Sequence, residues 1–108
     1  MDQKTIIKKT ADYVKQTLEG EVSGHDWWHV YRVWKMAKFL GLKENADMFV
    51  VELGALLHDI ADYKLHGGDE SIGPKTAEKW LKSLNVSEEY VLQVVDIVGG
   101  INYKGAKV

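Results

Sequence analysis

Histidines and carboxylates are the side chains of this sequence best suited to holding a metal ion. There is no cysteine, which excludes disulfides, thiolate chemistry and cysteine-based zinc sites. The histidines are His25, His29, His58 and His66. His58 is followed directly by Asp59, and both come after the apolar run 55–57. A carboxylate in that position is costly to desolvate without a cation or a hydrogen-bond donor, so the pair predicts a divalent metal site. Imidazole and carboxylate ligands together do not discriminate among Mn, Mg, Fe, Co, Ni and Zn ions.

His29 reaches the same place if two helices fold back on each other. It lies near the start of the second predicted helix and His58 near the end of the third, and their midpoint is the short Lys43-Glu44 turn. An antiparallel hairpin folded there brings positions 29 and 58 to nearly the same height. An error of three residues in the turn shifts them by only about 5 Å. The spacing therefore predicts that His29, His58 and Asp59 come together.

The apolar positions repeat with the 3.6-residue period of an α-helix, which predicts an all-α fold with five helices and no sheet. Asp2 is the predicted N-cap of the first helix and Gly20 its stop. The buried face of that helix is predicted to comprise Ile6, Ile7, Thr10, Ala11, Val14 and Leu18.

The second and third helices are predicted to form the hairpin that carries the site. The second starts near 23–26 and runs to Phe39 or Leu40, with Gly41 as its stop. Its buried stripe is predicted to be Val30, Val33, Ala37 and Leu40. The third, from about Asn45 to Ile60, is apolar over most of its surface and is therefore expected at the centre of the fold.

Two further helices follow a polar stretch over 62–73, which is interpreted as an ordered loop. Pro74 is placed at the first position of the fourth helix. Ser87 is the predicted cap of the fifth helix, and Gly99-Gly100 its end. The inward residues are predicted to be Ala77, Trp80, Leu81 and Leu84 on the fourth helix and Tyr90, Val91, Val94, Val95 and Val98 on the fifth.

The composition is that of one small globular domain. The chain has 108 residues, of which 45% are hydrophobic and 28% charged. A formal net charge of -2 disfavours a protein that grips the nucleic-acid backbone. The N-terminus interleaves Lys and Asp with Ile and Val, unlike a signal peptide, and no apolar run approaches about 18 residues. We therefore expect a cytoplasmic protein without a membrane partner.

Two segments carry a family resemblance. The stretches GHDWWHVYRVWKMA and ALLHDIADYKLHGGDE contain H-x-x-R-V around His29 and L-L-H-D-I-x-D around His58. Together they resemble the HD-domain metal-dependent phosphohydrolases, which carry a His on one helix, an adjacent His-Asp pair on another and a later Asp. The resemblance covers the chain from about Ser23 to Glu70. It implies an HD-like helical bundle in which His29, His58 and Asp59 are metal ligands.

The later Asp of that family has no evident counterpart. Asp96 lies in the middle of a helix between Val95 and Ile97 without a surrounding motif, and is interpreted as a helix-surface residue. The residues after Gly99 show no cap, period or stop. We therefore expect residues 1–108 to be the first part of a longer domain, with the fourth ligand beyond Val108.

Three residues are candidates for proton transfer or for binding a substrate, and each also has an interpretation without such a role. Asp62 follows Asp59 by three residues and could serve as an acid/base, or it could end the helix. Arg32 lies one turn after His29 and could hold a phosphate, or pair with Asp26 or Asp62. Lys64 could compensate phosphate charge or belong to a solvated loop. His66 and Asp69 of the same loop could wall the pocket or be solvated. His25 and Asp26 could orient His29, or be N-cap and first-turn residues of the second helix without a further function.

Four tryptophans, Trp27, Trp28, Trp34 and Trp80, are many for a chain of this size. Trp27 and Trp28 are adjacent and cannot both point into one core. Core packing is the main interpretation. Contact with a further part of the protein, or with a second copy in a homo-oligomer, is the alternative.

The function that these residues favour is metal-assisted hydrolysis of a small phosphorylated substrate, such as a nucleotide-like ester. The phosphate ester follows from the family resemblance, since nothing in the residues selects a substrate. The competing interpretation is a non-catalytic HD-like module that binds a nucleotide or a protein partner. The missing fourth ligand is the feature that separates the two.

Overall fold

The computed structural model describes residues 2–18, 27–44, 47–58, 60 and 72–103, with side chains through residue 99. These residues form five α-helices and no strand, which confirms the predicted all-α fold. The helices are α1 Gln3–Leu18, α2 Trp27–Glu44, α3 Met48–Leu57, α4 Ile72–Ser83 and α5 Glu88–Tyr103. None of the described helices is long and apolar enough to cross a bilayer.

The central helix is α3, as predicted, although it is shorter than the expected 45–60. It packs against α1, α2 and α5, and α4 pairs with α5. Its buried residues are Phe49, Val50, Leu53, Gly54, Ala55, Leu56 and Leu57. The helix starts where the Asp47 side chain accepts a hydrogen bond of 3.1 Å from the Phe49 amide. Because neighbours cover several of its sides, its sequence is apolar around most of the circumference.

Helices α2 and α3 are antiparallel, as predicted. Position 41 lies against position 48, Trp34 contacts Glu52, and His29 contacts His58. In these pairs the residue number on α3 increases as the residue number on α2 decreases, which is the order of contacts between antiparallel helices. The predicted turn at 42–44 is wrong, because α2 continues through Glu44. Gly41 does not stop the helix. A Cβ there would lie 2.9 Å from Met48 Sδ, so the glycine allows the two helices to approach closely.

The buried stripe of α2 also differs from the prediction. Val30 is buried, Val33 and Ala37 are half-buried, and Gly41 is buried. Leu40, predicted to be inward, is 51% exposed because the inward position at this end of α2 belongs to Gly41. Trp27 packs against the core while Trp28 is exposed, so the two adjacent indoles do point apart.

The N-terminal helix α1 follows the prediction closely. The Asp2 carboxylate accepts a hydrogen bond of 2.8 Å from the Thr5 amide and caps the helix. The buried residues are Ile6, Thr10, Ala11, Val14 and Leu18, with Ile7 packed at the edge. The predicted stop at Gly20, like most of the loop predicted over 62–73, lies outside the described residues.

The predicted start of α4 at Pro74 and the predicted end of α5 at Gly99-Gly100 both differ from the observed helix bounds. Pro74 is the third residue of α4, where its missing N–H is still one of those without an intrahelical partner. Helix α5 begins after Ser87 as predicted but continues through Gly99-Gly100 to Tyr103. Its predicted inward valines are buried or half-buried.

A Schellman motif that the sequence interpretation did not include ends α4. Asn85 has φ 61° and its amide bonds Lys82 O, while the Val86 amide bonds Leu81 O at 3.1 Å. Val86 and Leu81 are both buried, which supplies the apolar contact of this motif.

Candidate metal centre

The hairpin brings His29 and His58 together. Their ring centroids are 5.9 Å apart, with an angle of 51° between the ring planes. Two imidazoles that bind one ion at metal–nitrogen distances of about 2.1 Å place their centroids roughly 5 Å apart. A small side-chain adjustment therefore brings both rings onto one ion. His29 is exposed and His58 half-buried, so the pair lies at the surface of the bundle, where a substrate has access.

The His58 ring is oriented by the end of α3. His58 is the C-cap of that helix, and its Nδ1 lies 2.7 Å from the Ala55 carbonyl oxygen. A carbonyl oxygen only accepts, so Nδ1 donates the proton. In the neutral ring this tautomer gives Nε2 the lone pair, which is the form that binds a metal. A backbone carbonyl behind a histidine is the usual outer partner of a metal ligand.

A hydrogen bond deeper in the hairpin joins α2 to α3. Trp34 Nε1 donates to Glu52 Oε1 at 2.9 Å, and both residues are half-buried. Trp34 lies five residues after His29 and Glu52 six before His58, so this bond connects the helices close to the histidine pair. The sequence interpretation did not single out Glu52. Its signal is visible as the one charge within the apolar helix MFVVELGALL.

Arg32 lies on the same helix as His29, one turn along, and is exposed. The ion pairs within the described part of the chain join Lys82 to Glu78 and Glu88, so no described carboxylate holds Arg32. The two carboxylates weighed as its partners, Asp26 and Asp62, lie outside the described residues.

The other predicted site residues lie outside the described residues: Asp59, Asp62 and Lys64, as well as His25, His66 and Asp69. Convergence of Asp59 with the two histidines therefore stays a prediction. Within the described ranges, no group of three His, Asp or Glu side chains is arranged to hold a metal. Asp96 is exposed on α5, as expected of a helix-surface residue.

A pocket of about 420 Å³ lies elsewhere, between α1 and α4. It is lined by Tyr13, Thr76, Lys79, Trp80 and Ser83. The lining contains no histidine and no carboxylate, the residue types that the chemistry of a metal site needs. The histidine pair, and not this pocket, is therefore the candidate site.

Comparison with known proteins gives a consistent set of relatives. Residues 27–99 match the HD domain family. The uncharacterized protein YpgQ of Bacillus subtilis (strain 168) is 53% identical over 53 residues, which is 49% of this chain and 26% of that protein. The crystal structure of an HD-superfamily hydrolase from Bacillus thuringiensis superposes with a TM-score of 0.79 at 40% identity, covering 92% of this chain and 51% of that one. The chain thus spans about half the length of the solved relative.

Proposed function

Because the chain belongs to the HD domain family, we propose that it is a metal-dependent phosphohydrolase with His29, His58 and Asp59 as metal ligands. The observation that carries the proposal is the histidine pair, with ring centroids 5.9 Å apart and His58 Nδ1 held by the Ala55 carbonyl. The solved relative described as an HD-superfamily hydrolase supports hydrolysis as the reaction class. A small phosphorylated substrate follows from the family resemblance.

Metal binding, phosphate binding and proton transfer are assigned to different residues of the chain. When bound, a divalent ion supplies Lewis acidity toward a phosphoryl oxygen and lowers the pKa of water. His58 is held in the metal-binding tautomer by the Ala55 carbonyl, and the hairpin places His29 beside it. The exposed Arg32 guanidinium offers two parallel N–H donors to a phosphate. We assign proton transfer to Asp62 and further charge compensation to Lys64.

We propose that the fourth ligand, an Asp in this family, follows Val108 in a longer form of the protein. His29 and His58 are brought together by apolar packing of α2 on α3 that does not depend on metal. Loss of outer partners alone changes metal affinity by about 10–100-fold. We therefore expect the 108-residue chain to bind metal weakly and to hydrolyse phosphate esters poorly by itself.

The test is replacement of His58 by Ala, with metal binding measured by calorimetry using Mn and Co ions. We expect binding to be abolished while the circular dichroism spectrum stays nearly unchanged, because the apolar faces of α2 and α3 are intact. The control is Asp96→Asn, which removes a carboxylate from the exposed face of α5 and should leave binding as it was. Full-strength metal binding in His58→Ala contradicts the assignment. Metal binding without hydrolysis of nucleotides or other phosphate esters, even in a longer form, favours a non-catalytic HD module.

A further inference from the structure

The outward side of α2 is apolar and exposed. We call it the outer face of α2 and define it by Trp28, Met36, Phe39, Leu40 and Leu42, each at least 51% exposed. Among the described residues, the remaining large exposed hydrophobic side chain is Leu92 on α5. Contiguous apolar patches on a soluble protein mark contact surfaces, whereas single exposed residues such as Leu92 need no explanation.

Basic residues are interleaved with these apolar side chains. Arg32, Lys35 and Lys43 are exposed in the same sector of the helix, and Lys43 Nζ lies 5.0 Å from the centroid of the Phe39 ring. Lys38 flanks the sector, and Glu44 is the one acidic residue of α2. The outer face is therefore apolar with a positive charge, so it favours an apolar partner with negative charge around it.

The described surface of the chain does not offer such a partner. Two copies of the outer face would match in apolar character but would bring like charges together. The exposed strip of α5 has the complementary charge, with Glu88 and Asp96, but Leu92 is its one large apolar residue. Neither arrangement matches both properties, so an occupant other than a second copy is required.

We propose that the outer face of α2 docks an acidic amphipathic helix from the half of an HD fold that this chain does not match. The solved relative superposes on 92% of this chain with only 51% of its own length, so it has a further half of comparable size. Helix-on-helix packing through an apolar stripe is the usual way to cover such a face.

The docked helix reaches the edge of the histidine pair, and this step rests on the proposed function. His29, Met36 and Leu40 lie on one side of α2, at spacings of seven and four residues that follow successive turns of an α-helix. A helix that covers Met36 and Leu40 and continues along this side of α2 toward its first turn therefore reaches His29. Docking is then the step that brings further groups to the metal.

The absence of cysteine makes the test direct, because a single introduced thiol is unique. Met36→Cys reports on the outer face, and Leu92→Cys is a matched control, since both native side chains are 58% exposed. Each variant is co-expressed with the unmatched half of the Bacillus thuringiensis hydrolase and purified. We expect co-purification, with the maleimide reaction of Met36→Cys slowed at least about tenfold relative to the chain alone and that of Leu92→Cys unchanged. Adding Phe39→Glu should abolish co-purification.

The other occupants give different results, and each overturns the proposal. Protection of Met36→Cys that increases with the concentration of the chain alone indicates a second copy. Protection by vesicles of phosphatidylcholine with phosphatidylserine, but not by the hydrolase half, indicates a membrane surface. Absence of co-purification with a hydrolase half whose own circular dichroism spectrum is helical, or equal protection of both thiols, removes the docking surface. If the complex forms and its manganese affinity equals that of the chain alone, docking stands but does not bring further groups to the metal. The proposed metal function is then still decided separately, by the binding of manganese to His58→Ala.

Discussion

Two aromatic regions of this small protein differ in exposure and in whether their ring contact joins two helices. At the junction of α1 and α4, Tyr13 stacks on Trp80 with ring centroids 4.0 Å apart and planes 8° apart. Trp80 Nε1 donates to Thr10 Oγ1 at 2.9 Å, and the buried Thr10 hydroxyl donates to the Ile6 carbonyl at 2.8 Å. In α2, Trp28 and Tyr31 meet edge to face at 5.9 Å, but Trp28 is 61% exposed.

The difference separates residues that hold the fold from residues available to a partner. In the junction, the Trp80 indole and the buried Thr10 hydroxyl are hydrogen-bonded in series beside the stacked Tyr13 ring, which makes a connected network that favours one arrangement. In the outer part of α2, the rings are aligned along one helix and cover little of each other. Substitutions in the junction should therefore change stability, and substitutions on α2 should change binding.

The largest expected effect comes from Trp80→Ala. It removes the stack with Tyr13 and leaves the buried Thr10 hydroxyl without its donor, so we expect a loss of about 3 kcal/mol in the free energy of unfolding. Trp28→Ala, on the exposed side of α2, should cost less than about 0.5 kcal/mol. Urea denaturation of both variants measures the difference. Equal costs would show that the two aromatic regions do not differ as described.

A second comparison uses two buried glycines of the hairpin. A Cβ at Gly54 would lie 2.8 Å from Cγ2 of Ile97, a stiff β-branched side chain on α5, so Gly54→Ala should destabilise by about 1–2 kcal/mol. At Gly41 the nearest atom is Met48 Sδ, in a flexible side chain that can move. The gain in helix propensity then offsets the crowding, and Gly41→Ala should be within about 0.5 kcal/mol of the wild type. A larger cost at Gly41 than at Gly54 contradicts this account.

These glycines also show where sequence interpretation was limited. Gly41 and Gly99 follow apolar periodic segments, which is the pattern of a helix stop, yet both lie inside helices. Whether a glycine ends a helix or admits a neighbouring one depends on the helix packed against it, and this is not encoded locally. The Leu40 prediction failed for the same reason, because the inward position belongs to Gly41.

The histidine pair was predictable because it depends on the hairpin as a whole. Helix α2 ends a few residues later than expected, but the order of contacts along α2 and α3 places His29 against His58. The orientation of His58 was not predictable, since it requires the Ala55 carbonyl at the end of α3. Glu52 was overlooked because its partner, Trp34, lies on another helix.

The Trp34–Glu52 hydrogen bond gives a smaller effect and connects stability with the site. Glu52→Leu leaves the half-buried Trp34 N–H without its acceptor and should cost about 1–2 kcal/mol in unfolding free energy. Glu52→Gln keeps a carbonyl oxygen in place and should retain most of that stability. If the bond also sets the register of the hairpin, manganese affinity falls in Glu52→Leu and is restored in Glu52→Gln. Equal stability of the two variants indicates that the bond contributes nothing.

The smallest effect appears only at alkaline pH and tests whether the Tyr13 phenol is buried at the α1–α4 junction. Burial against Trp80 raises the pKa of Tyr13 above its ordinary value of about 10. The neutral phenol is thus the form that the folded state prefers. The contribution of the neutral Tyr13 phenol to the free energy of unfolding is fully present below the ordinary pKa and is lost as the pH rises through the folded-state pKa. The urea midpoint of the wild type should therefore fall as the pH rises above about 10.

Tyr13→Phe keeps the stacked ring and removes the ionisable group, so its midpoint should fall less over the same range. Lys82 contributes in the same direction, since its hydrogen bond and charge interaction with Glu78 raise the pKa of that amine, and a part of the decline should therefore remain in Tyr13→Phe. Combining Tyr13→Phe with Lys82→Met separates the two groups. In an absorbance titration, the change that disappears in Tyr13→Phe should belong to a tyrosine that ionises later than a free one. An identical decline in the wild type and Tyr13→Phe would mean that the phenol is as well solvated as a surface tyrosine. The contrast between the α1–α4 junction and the exposed face of α2 would then rest on the indole of Trp80 alone.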